Sequence, residues 1–256
     1  MFKAIRIAIL LFVLFFVAVN AWLIQVRSTD WDKSLWIKIY PINADGSDVA
    51  AQYIAGLEKR EFEEIERFVA REVERHGRTL NQPVRVELGR EVREQPPAIK
   101  PGSSRVDIIW WSLKMRWWSW SITDDRVDPD VQIFVRYHHP QQTLLLENSV
   151  GLQKGMVGIV NAYASRRHRG RNNLVITHEF LHTLGATDKY DPHDGQPIPP
   201  DGLGEPDREP MYPQRYTEIM GGRLAKSRLD SEIPRNLSKV LIGDLTAREI
   251  NLVEDD

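Results

Sequence analysis

The apolar positions of the chain follow two different spacings, and these spacings predict the elements of an α+β domain. Apolar side chains occupy every second position in several short segments, as they do in strands. The segments are residues 35–39, 84–88, 131–135 and 156–163. Residues 48–76 instead repeat apolar positions every three or four residues up to Gly77, which predicts one long helix. A further helix is expected over residues 172–184.

Two details of the strand prediction matter for the site. Pro41 has no amide hydrogen, so we expect the first strand to end there. The three leucines at 144–146 predict a short strand that precedes the strand at 156–163.

The N-terminal segment is apolar enough to cross a membrane. Residues 7–24 contain only one polar side chain, Asn20, and as a helix they would extend about 27 Å. Lys3 and Arg6 precede the segment, which favours a cytoplasmic N-terminus. We therefore expect residues 1–27 to be a single-pass transmembrane signal-anchor, with residues 28–256 on the extracytoplasmic (periplasmic or extracellular) side. A signal peptide cleaved after Ala21 is the alternative, and it exports the same domain.

Tryptophan is concentrated in one part of the chain. Residues 108–120 hold five of the eight tryptophans, beside Lys114 and Arg116. One interpretation is an amphipathic helix that packs its rings on the core. The other is a helix whose rings enter a membrane interface.

Charge and cysteine content exclude several functions. The net charge of -2 leaves no overall basic field, so nucleic acid is not expected as a partner. The chain has no cysteine, which excludes disulfides and thiolate chemistry. His, Asp and Glu remain as the strong metal ligands. Among the histidines, His138 and His139 are adjacent on a predicted strand and point to opposite faces, so we interpret them as solvated strand-end residues.

The candidate chemistry lies in the sequence HEFLHTLGATD, residues 178–188. His178 and His182 are four residues apart, so a helix places both on one face, where they can bind one zinc ion. Glu179 lies beside them and can act as general base toward a water molecule. Gly185 lets the helix stop and the chain turn back, so that Asp188 can return as third ligand. Asp191, His193 and Asp194 are close enough in sequence to replace Asp188.

This pattern resembles the metzincin metallopeptidases, whose motif is H-E-x-x-H-x-x-G-x-x-H followed by a methionine-containing turn. Asp188 stands where the third histidine usually is. Met220, in the sequence EIMGG at 218–222, matches the methionine turn and would form an apolar floor below the metal. Gly222 stands where many relatives have a tyrosine, so Tyr216 or Tyr212 is the candidate that would stabilise the oxyanion.

The resemblance also implies an architecture. It implies a twisted mixed sheet with two main helices above it in an upper subdomain, about residues 35–185. A small lower subdomain, about residues 186–256, would hold the methionine turn and a closing helix, for which Thr246 and Glu249 form a capping box. The antiparallel edge strand, expected at residues 144–146, would bind a peptide by strand addition.

The sequence therefore predicts a membrane-anchored, zinc-dependent metallopeptidase, and more specifically an endopeptidase, that acts on peptide or protein substrates. One alternative is a catalytically silent protein of the same fold that binds a metal or a partner. Another is a zinc hydrolase of a non-peptide amide, such as one in a cell-wall polymer. No sequence pattern indicates an oligomeric state.

Overall fold

The computed structural model describes residues 30–98, 102–123, 129–143, 149–153 and 156–253, together with Arg6, Phe12 and Leu146. The helices are α1 (Asp48–Ala55), α2 (Glu63–Arg75), α3 (Arg105–Ile122), α4 (Arg169–Leu184) and α5 (Asp244–Glu249). The main strands are β1 (Leu35–Asn43), β2 (Val84–Leu88), β3 (Val131–His138), β4 (Val150–Leu152) and β5 (Val157–Tyr163). The short strands are β6 (Thr217–Glu218), β7 (Leu224–Ala225), β8 (Ser231–Glu232) and β9 (Val240–Leu241). Single 3₁₀ turns occupy Lys59–Phe62, Arg166–His168 and Leu237–Lys239.

The predicted anchor, residues 1–27, lies outside the described residues except for Arg6 and Phe12. Within the part of the chain that the structure describes, no helix combines the length and the apolar character needed to cross a membrane.

A five-stranded mixed sheet organises the domain and confirms the α+β class. The strand order is β2-β1-β3-β5-β4. Strands β2, β1, β3 and β5 are parallel to one another, and the edge strand β4 runs antiparallel to β5. The sheet thus has the expected antiparallel edge strand, but that strand is Val150–Leu152. Of the leucines at 144–146 for which it was predicted, Leu144 and Leu145 lie outside the described residues, and Leu146 belongs to no strand.

The first strand does not end at Pro41, contrary to the prediction. β1 continues to Asn43 and pairs with β3 along this stretch, where Pro41 lies opposite Val135. Proline removes one donor but keeps its carbonyl, which accepts a 2.9 Å hydrogen bond from the Val92 amide. Because the register with β2 ends at Ile39, the donor missing at Pro41 costs no hydrogen bond to that strand.

The single helix predicted over residues 48–76 is two helices. α1 ends at Ala55, and the amide of Gly56 donates to the Gln52 carbonyl at 3.2 Å. Glu58 is then extended, and a 3₁₀ turn leads into α2. The break turns Phe62 into the core, where it is 2% exposed. Apolar spacing in phase on both sides of Gly56 concealed this interruption.

Two hydrophobic cores lie on opposite faces of the sheet, because successive strand side chains alternate between faces. Ile37 and Ile39 of β1 face one core, which α1, α2 and α4 cover. Tyr40 and Ile42 of the same strand face the other core, which α3 covers. The predicted zinc helix, α4, and the tryptophan-rich helix, α3, are therefore separated by the sheet.

The C-terminal part contains two small strand pairs and α5. The expected capping box does not form, because Gly243 is the N-cap of α5 and offers no side chain. Thr246 lies inside the helix, and its hydroxyl donates to Glu218 at 2.7 Å. Glu249 instead reaches toward the loop after α4, so both residues join separate parts of the domain.

Candidate metal centre

Three side-chain atoms converge at the end of α4. The Oδ1 atom of Asp188 lies 3.1 Å from Nε2 of His178 and 3.1 Å from Nε2 of His182. The two Nε2 atoms are also 3.1 Å apart. These atoms thus form a nearly equilateral triangle. The three residues that the sequence predicts as zinc ligands lie together.

The tautomers of both histidines follow from their other ring nitrogens. Nδ1 of His178 lies 3.0 Å from the carbonyl oxygen of Ile219, and Nδ1 of His182 lies 2.8 Å from that of Ala186. A carbonyl oxygen only accepts, so each Nδ1 must carry the hydrogen. In the neutral rings both Nε2 atoms therefore present lone pairs. These lone pairs face each other and a carboxylate oxygen.

Such a triangle fits a small divalent cation. Ligand atoms bonded to one tetrahedral zinc at about 2.0–2.1 Å lie roughly 3.3 Å from one another, close to the spacing seen here. The donor set of two imidazoles and one carboxylate is also that of catalytic zinc sites, which leave a fourth position open. One ligand atom from each of His178, Glu179 and His182 also lies within 4.8 Å of the others, so this group could hold a metal ion.

The pKa shifts of two residues in the triangle indicate that its electrostatic environment favours positive charge. Burial lowers the pKa of His178, but the carboxylates of Asp188 and Glu179 outweigh it, and the pKa is raised. Burial raises the pKa of Asp188, but its contacts with the two imidazoles, either of which can take up a proton, outweigh it and hold that pKa well below its usual range. Positive charge at the centre of the triangle is therefore favourable.

Gly185 delivers Asp188 to the triangle. It follows the last residue of α4 and has φ 115°, a left-handed conformation that favours glycine. Its amide donates to the His182 carbonyl, and the next amide, that of Ala186, donates to the Leu181 carbonyl. The sharp stop predicted from the sequence is present, and the chain returns toward the helix within three residues.

The two acidic alternatives to Asp188 have other partners. Asp191 accepts from the amide of His193 at 2.8 Å, and Asp194 accepts from the amide of Gln196 at 2.8 Å. Both carboxylates thus stabilise the turn that follows the site. Asp188, with its two 3.1 Å contacts to the imidazoles, is the third ligand candidate that the structure favours.

Glu249 holds the residues on either side of Asp188. Its carboxylate accepts from the Thr187 hydroxyl at 2.6 Å and from the Thr187 amide at 2.9 Å. It also forms a 2.7 Å ion pair with Lys189, whose side chain is only 4% exposed. The loop that carries Asp188 is therefore fixed by α5, which lies about sixty residues further along the chain.

Glu179 stands beside the triangle in an apolar setting. Burial is the main cause of its raised pKa, and the two imidazoles oppose that rise. One of its oxygens, Oε2, is buried without a hydrogen-bond partner. A buried carboxylate oxygen without a partner is costly, and it is found at sites where a further molecule has to be accommodated. A water molecule next to a metal ion would supply the missing donor.

Gly151 allows the edge strand to approach α4 closely. A Cβ atom at this position would lie 2.5 Å from both the Glu179 carbonyl oxygen and the His182 Cβ atom. The amide of Gly151 also hydrogen-bonds the Glu179 carboxylate. The edge strand and the metal centre are thus one continuous structure.

The turn at 218–222 packs against the segment that carries His178 and Asp188. Ile219 accepts from His178, and the neighbouring Met220 is fully buried, with its carbonyl accepting from the Lys189 amide at 2.9 Å. Glu218 fixes the turn by accepting from the Gly221 amide at 2.7 Å. Met220 is therefore part of a buried turn that contacts the metal-binding segment on two sides.

Tyr190 was not among the predicted residues, yet it adjoins the centre. Its phenol hydrogen-bonds Asp188, and burial together with the negative charge of Asp188 raises the pKa of Tyr190 to about 12. Its ring centroid lies 6.4 Å from that of His178. Its position two residues after Asp188 is the sequence feature that could have indicated this proximity. The oxyanion role assigned to Tyr216 or Tyr212 stays a prediction.

The comparisons with known proteins give no family. No protein family matches the sequence, and no curated protein does either. Among solved structures, the chain is similar to OgpA from Akkermansia muciniphila, with 12% sequence identity and a TM-score of 0.38 over 87% of this chain. The match spans 64% of OgpA, so it leaves more than a third of that protein unmatched. At this TM-score the likeness carries no conclusion about fold or activity.

Proposed function

We propose that the chain is a zinc-dependent metallopeptidase of the metzincin type. The observation that carries the proposal is the 3.1 Å triangle of His178, His182 and Asp188 with both Nε2 lone pairs directed into it. No proton lies on these nitrogens while the rings are neutral, and a bound cation would offset the repulsion between their lone pairs and the Asp188 carboxylate. The spacing and the donor set suit zinc.

Zinc, when bound in such a site, polarises a substrate carbonyl and lowers the pKa of water to about 7. The role of Glu179 is to accept the proton from that water and to pass it to the leaving amine. Its orphaned Oε2 atom is available for this hydrogen bond. The raised pKa makes Glu179 a better proton carrier than an exposed glutamate.

The edge strand suits an extended peptide. Among the described residues no strand pairs with the outer edge of β4, so this edge is open to strand addition at backbone groups other than the Gly151 amide, which binds Glu179. Gly151 of this strand contacts both Glu179 and His182. A peptide added along β4 would therefore run past the metal centre, which favours an endopeptidase.

The alternative functions differ in what they require of Glu179. A silent metal-binding protein has no need for a buried carboxylate with an orphaned oxygen beside the triangle. A hydrolase of a non-peptide amide needs the same residues, so only substrate tests separate it from a peptidase. We further propose that the domain works outside the cytoplasm, anchored by residues 1–27.

The test uses the full chain, its Glu179→Gln variant and a broad peptide library. We expect both proteins to hold one zinc ion per chain and the variant to cleave with a kcat lower by about 10²–10⁴-fold. Equal inertness of two zinc-loaded proteins would refute the peptidase. A folded wild type without zinc would refute both enzyme hypotheses.

A further inference from the structure

The tryptophan-rich helix α3 is apolar on two opposite faces. One face carries Trp111, Met115 and Trp118, which are at most 8% exposed and belong to the core on this side of the sheet. Trp118 packs on Phe134 with ring centroids 4.7 Å apart, and the Trp111 indole donates to the Pro97 carbonyl at 2.7 Å. This face explains why the helix is held on the sheet.

The opposite face is apolar and uncovered within the described structure. Its side chains recur at the three- and four-residue spacing of one helical stripe, which we name the outer stripe. They are Val106, Ile109, Trp110, Leu113, Trp117 and Trp120, with exposed fractions between 50% and 71%. Three largely exposed indole rings with three aliphatic neighbours present several hundred Å², at least as much as the roughly 300–600 Å² of the largest apolar patch on a typical monomer. Core packing does not account for them.

The polar residues beside the outer stripe are cationic. Lys114 follows Leu113 and Arg116 precedes Trp117 in the sequence. Because neighbouring residues of a helix are rotated about its axis, these two cations lie on opposite borders of the outer stripe. The sole acidic residue of α3 is Asp107, which is engaged in the capping box with Ser104. Tryptophan next to lysine and arginine is the composition of helices that lie in a bilayer interface, where rings meet the acyl boundary and cations meet headgroup phosphates.

The end of α3 lies at the same end of the sheet as the start of the domain. Asp130, just before β3, accepts from the Trp36 amide at the start of β1, at 2.8 Å. α3 precedes β3 directly along the chain, and β1 begins four residues after Trp31. The apolar segment 7–24 precedes Trp31 by only a few residues. A bilayer that holds this segment is therefore within reach of the outer stripe.

We propose that the outer stripe of α3 inserts into the interface of a lipid bilayer with anionic headgroups. The helix would lie parallel to the membrane plane, with its inner face still packed on the sheet. Because α3 and α4 are on opposite faces of the sheet, this contact does not cover the zinc helix. The proposal adds a second membrane contact to the predicted anchor and fixes the orientation of the domain.

The test measures the surroundings of single side chains in the full chain. The sequence has no cysteine, so Leu113→Cys provides a unique site for a nitroxide label. Leu229→Cys, between β7 and β8 and 83% exposed, is the matched control. Each labelled protein is placed at one copy per lipid nanodisc of phosphatidylcholine and phosphatidylglycerol. Relaxation by oxygen, which concentrates in lipid, is compared with relaxation by a water-soluble nickel chelate.

We expect the label at 113 to be several-fold more accessible to oxygen than to the nickel chelate, and the label at 229 to show the reverse. Equal accessibility to the nickel chelate at both positions would overturn the proposal, because the outer stripe would then face water. Low accessibility to both reagents at 113 would also overturn it, since protein would then cover the stripe. Trp117→Cys, one turn away and 67% exposed, repeats the measurement in case Leu113→Cys does not fold.

Discussion

Two pairs of histidines lie close together in this sequence, and only one pair brings its ring nitrogens together. His178 and His182 are separated by one helical turn, whereas His138 and His139 are neighbours at the end of β3. The helix brings two Nε2 atoms to 3.1 Å. Successive residues along an extended chain alternate in direction, which does not favour convergence of the rings of His138 and His139. The period of the secondary structure therefore decides whether neighbouring histidines can share an ion.

The hydrogen-bond partners of the rings separate the two pairs further. In the helical pair, backbone carbonyls take the Nδ1 hydrogens and leave the Nε2 lone pairs available. In the strand pair, the Nδ1 lone pair of His139 accepts from the Gln141 amide at 3.1 Å. His138 is 9% exposed and contacts Asn161 Oδ1 at 3.0 Å, so the expectation that it is solvated was wrong. Its role is structural.

The largest expected effect follows directly from this contrast. His182→Ala removes one of three ligands, and a structural zinc site is worth about 10–16 kcal/mol in all, so we expect zinc affinity to fall at least ~10²-fold. His139→Ala should leave zinc affinity unchanged. Competition with a chelator of known affinity measures both. Equal loss in the two variants would mean that the strand pair takes part in binding.

Asp188→Asn tests the third corner of the triangle. The amide keeps the shape of the side chain but loses its charge, so we expect zinc affinity to fall roughly 10–100-fold. Asp191→Asn, three residues further on, is the control and should retain zinc. The opposite ranking, measured by the same chelator competition, would assign the third ligand to the loop after Tyr190.

Glu249→Gln tests whether α5 positions Asp188. The variant weakens the ion pair with Lys189, and residues that orient metal ligands typically contribute about 10–100-fold. We expect an effect near ~10-fold on zinc affinity with the domain still folded. Glu232→Gln, which breaks the exposed ion pair with Lys226, should change nothing measurable. An effect confined to thermal stability would show that Glu249 serves folding only.

Met220→Leu has the smallest expected effect. Leucine has a similar volume, so the buried turn should lose less than about 1.5 kcal/mol of unfolding free energy. Zinc content should stay at the wild-type level, because the contacts of this turn to Lys189 and His178 are made by backbone carbonyls. Loss of zinc in a folded Met220→Leu protein would contradict the role of Met220 as an apolar floor.

The sequence predicts the parts of the site that depend on local rules. Helical period places His178 and His182 on one face, and the left-handed preference of glycine makes Gly185 the stop. Both features depend only on residues that are close together in the sequence. Asp188 follows from that stop, since the chain has only three residues in which to return.

Contacts between distant segments escaped prediction. Glu249 was interpreted as a capping residue because Thr246 lies three positions before it. Its actual partner, Lys189, is 60 residues away in the sequence, and no local pattern reveals that contact. Gly56 breaks a helix whose apolar pattern continues across it. Pro41 stays in a strand because β2 ends opposite Ile39, so the missing donor costs no hydrogen bond to that neighbour. Local sequence patterns indicate the candidate ligands, whereas the residues that fix them in position are determined by tertiary packing.

The backbone carbonyls that fix the two imidazoles belong to Ile219 and Ala186, and side-chain substitution at either position leaves those oxygens in place. Backbone groups, which a mutation cannot easily remove, thus orient the lone pairs of the site. Loading should accordingly be a simple capture step without refolding, and stripping by a chelator should be reversible.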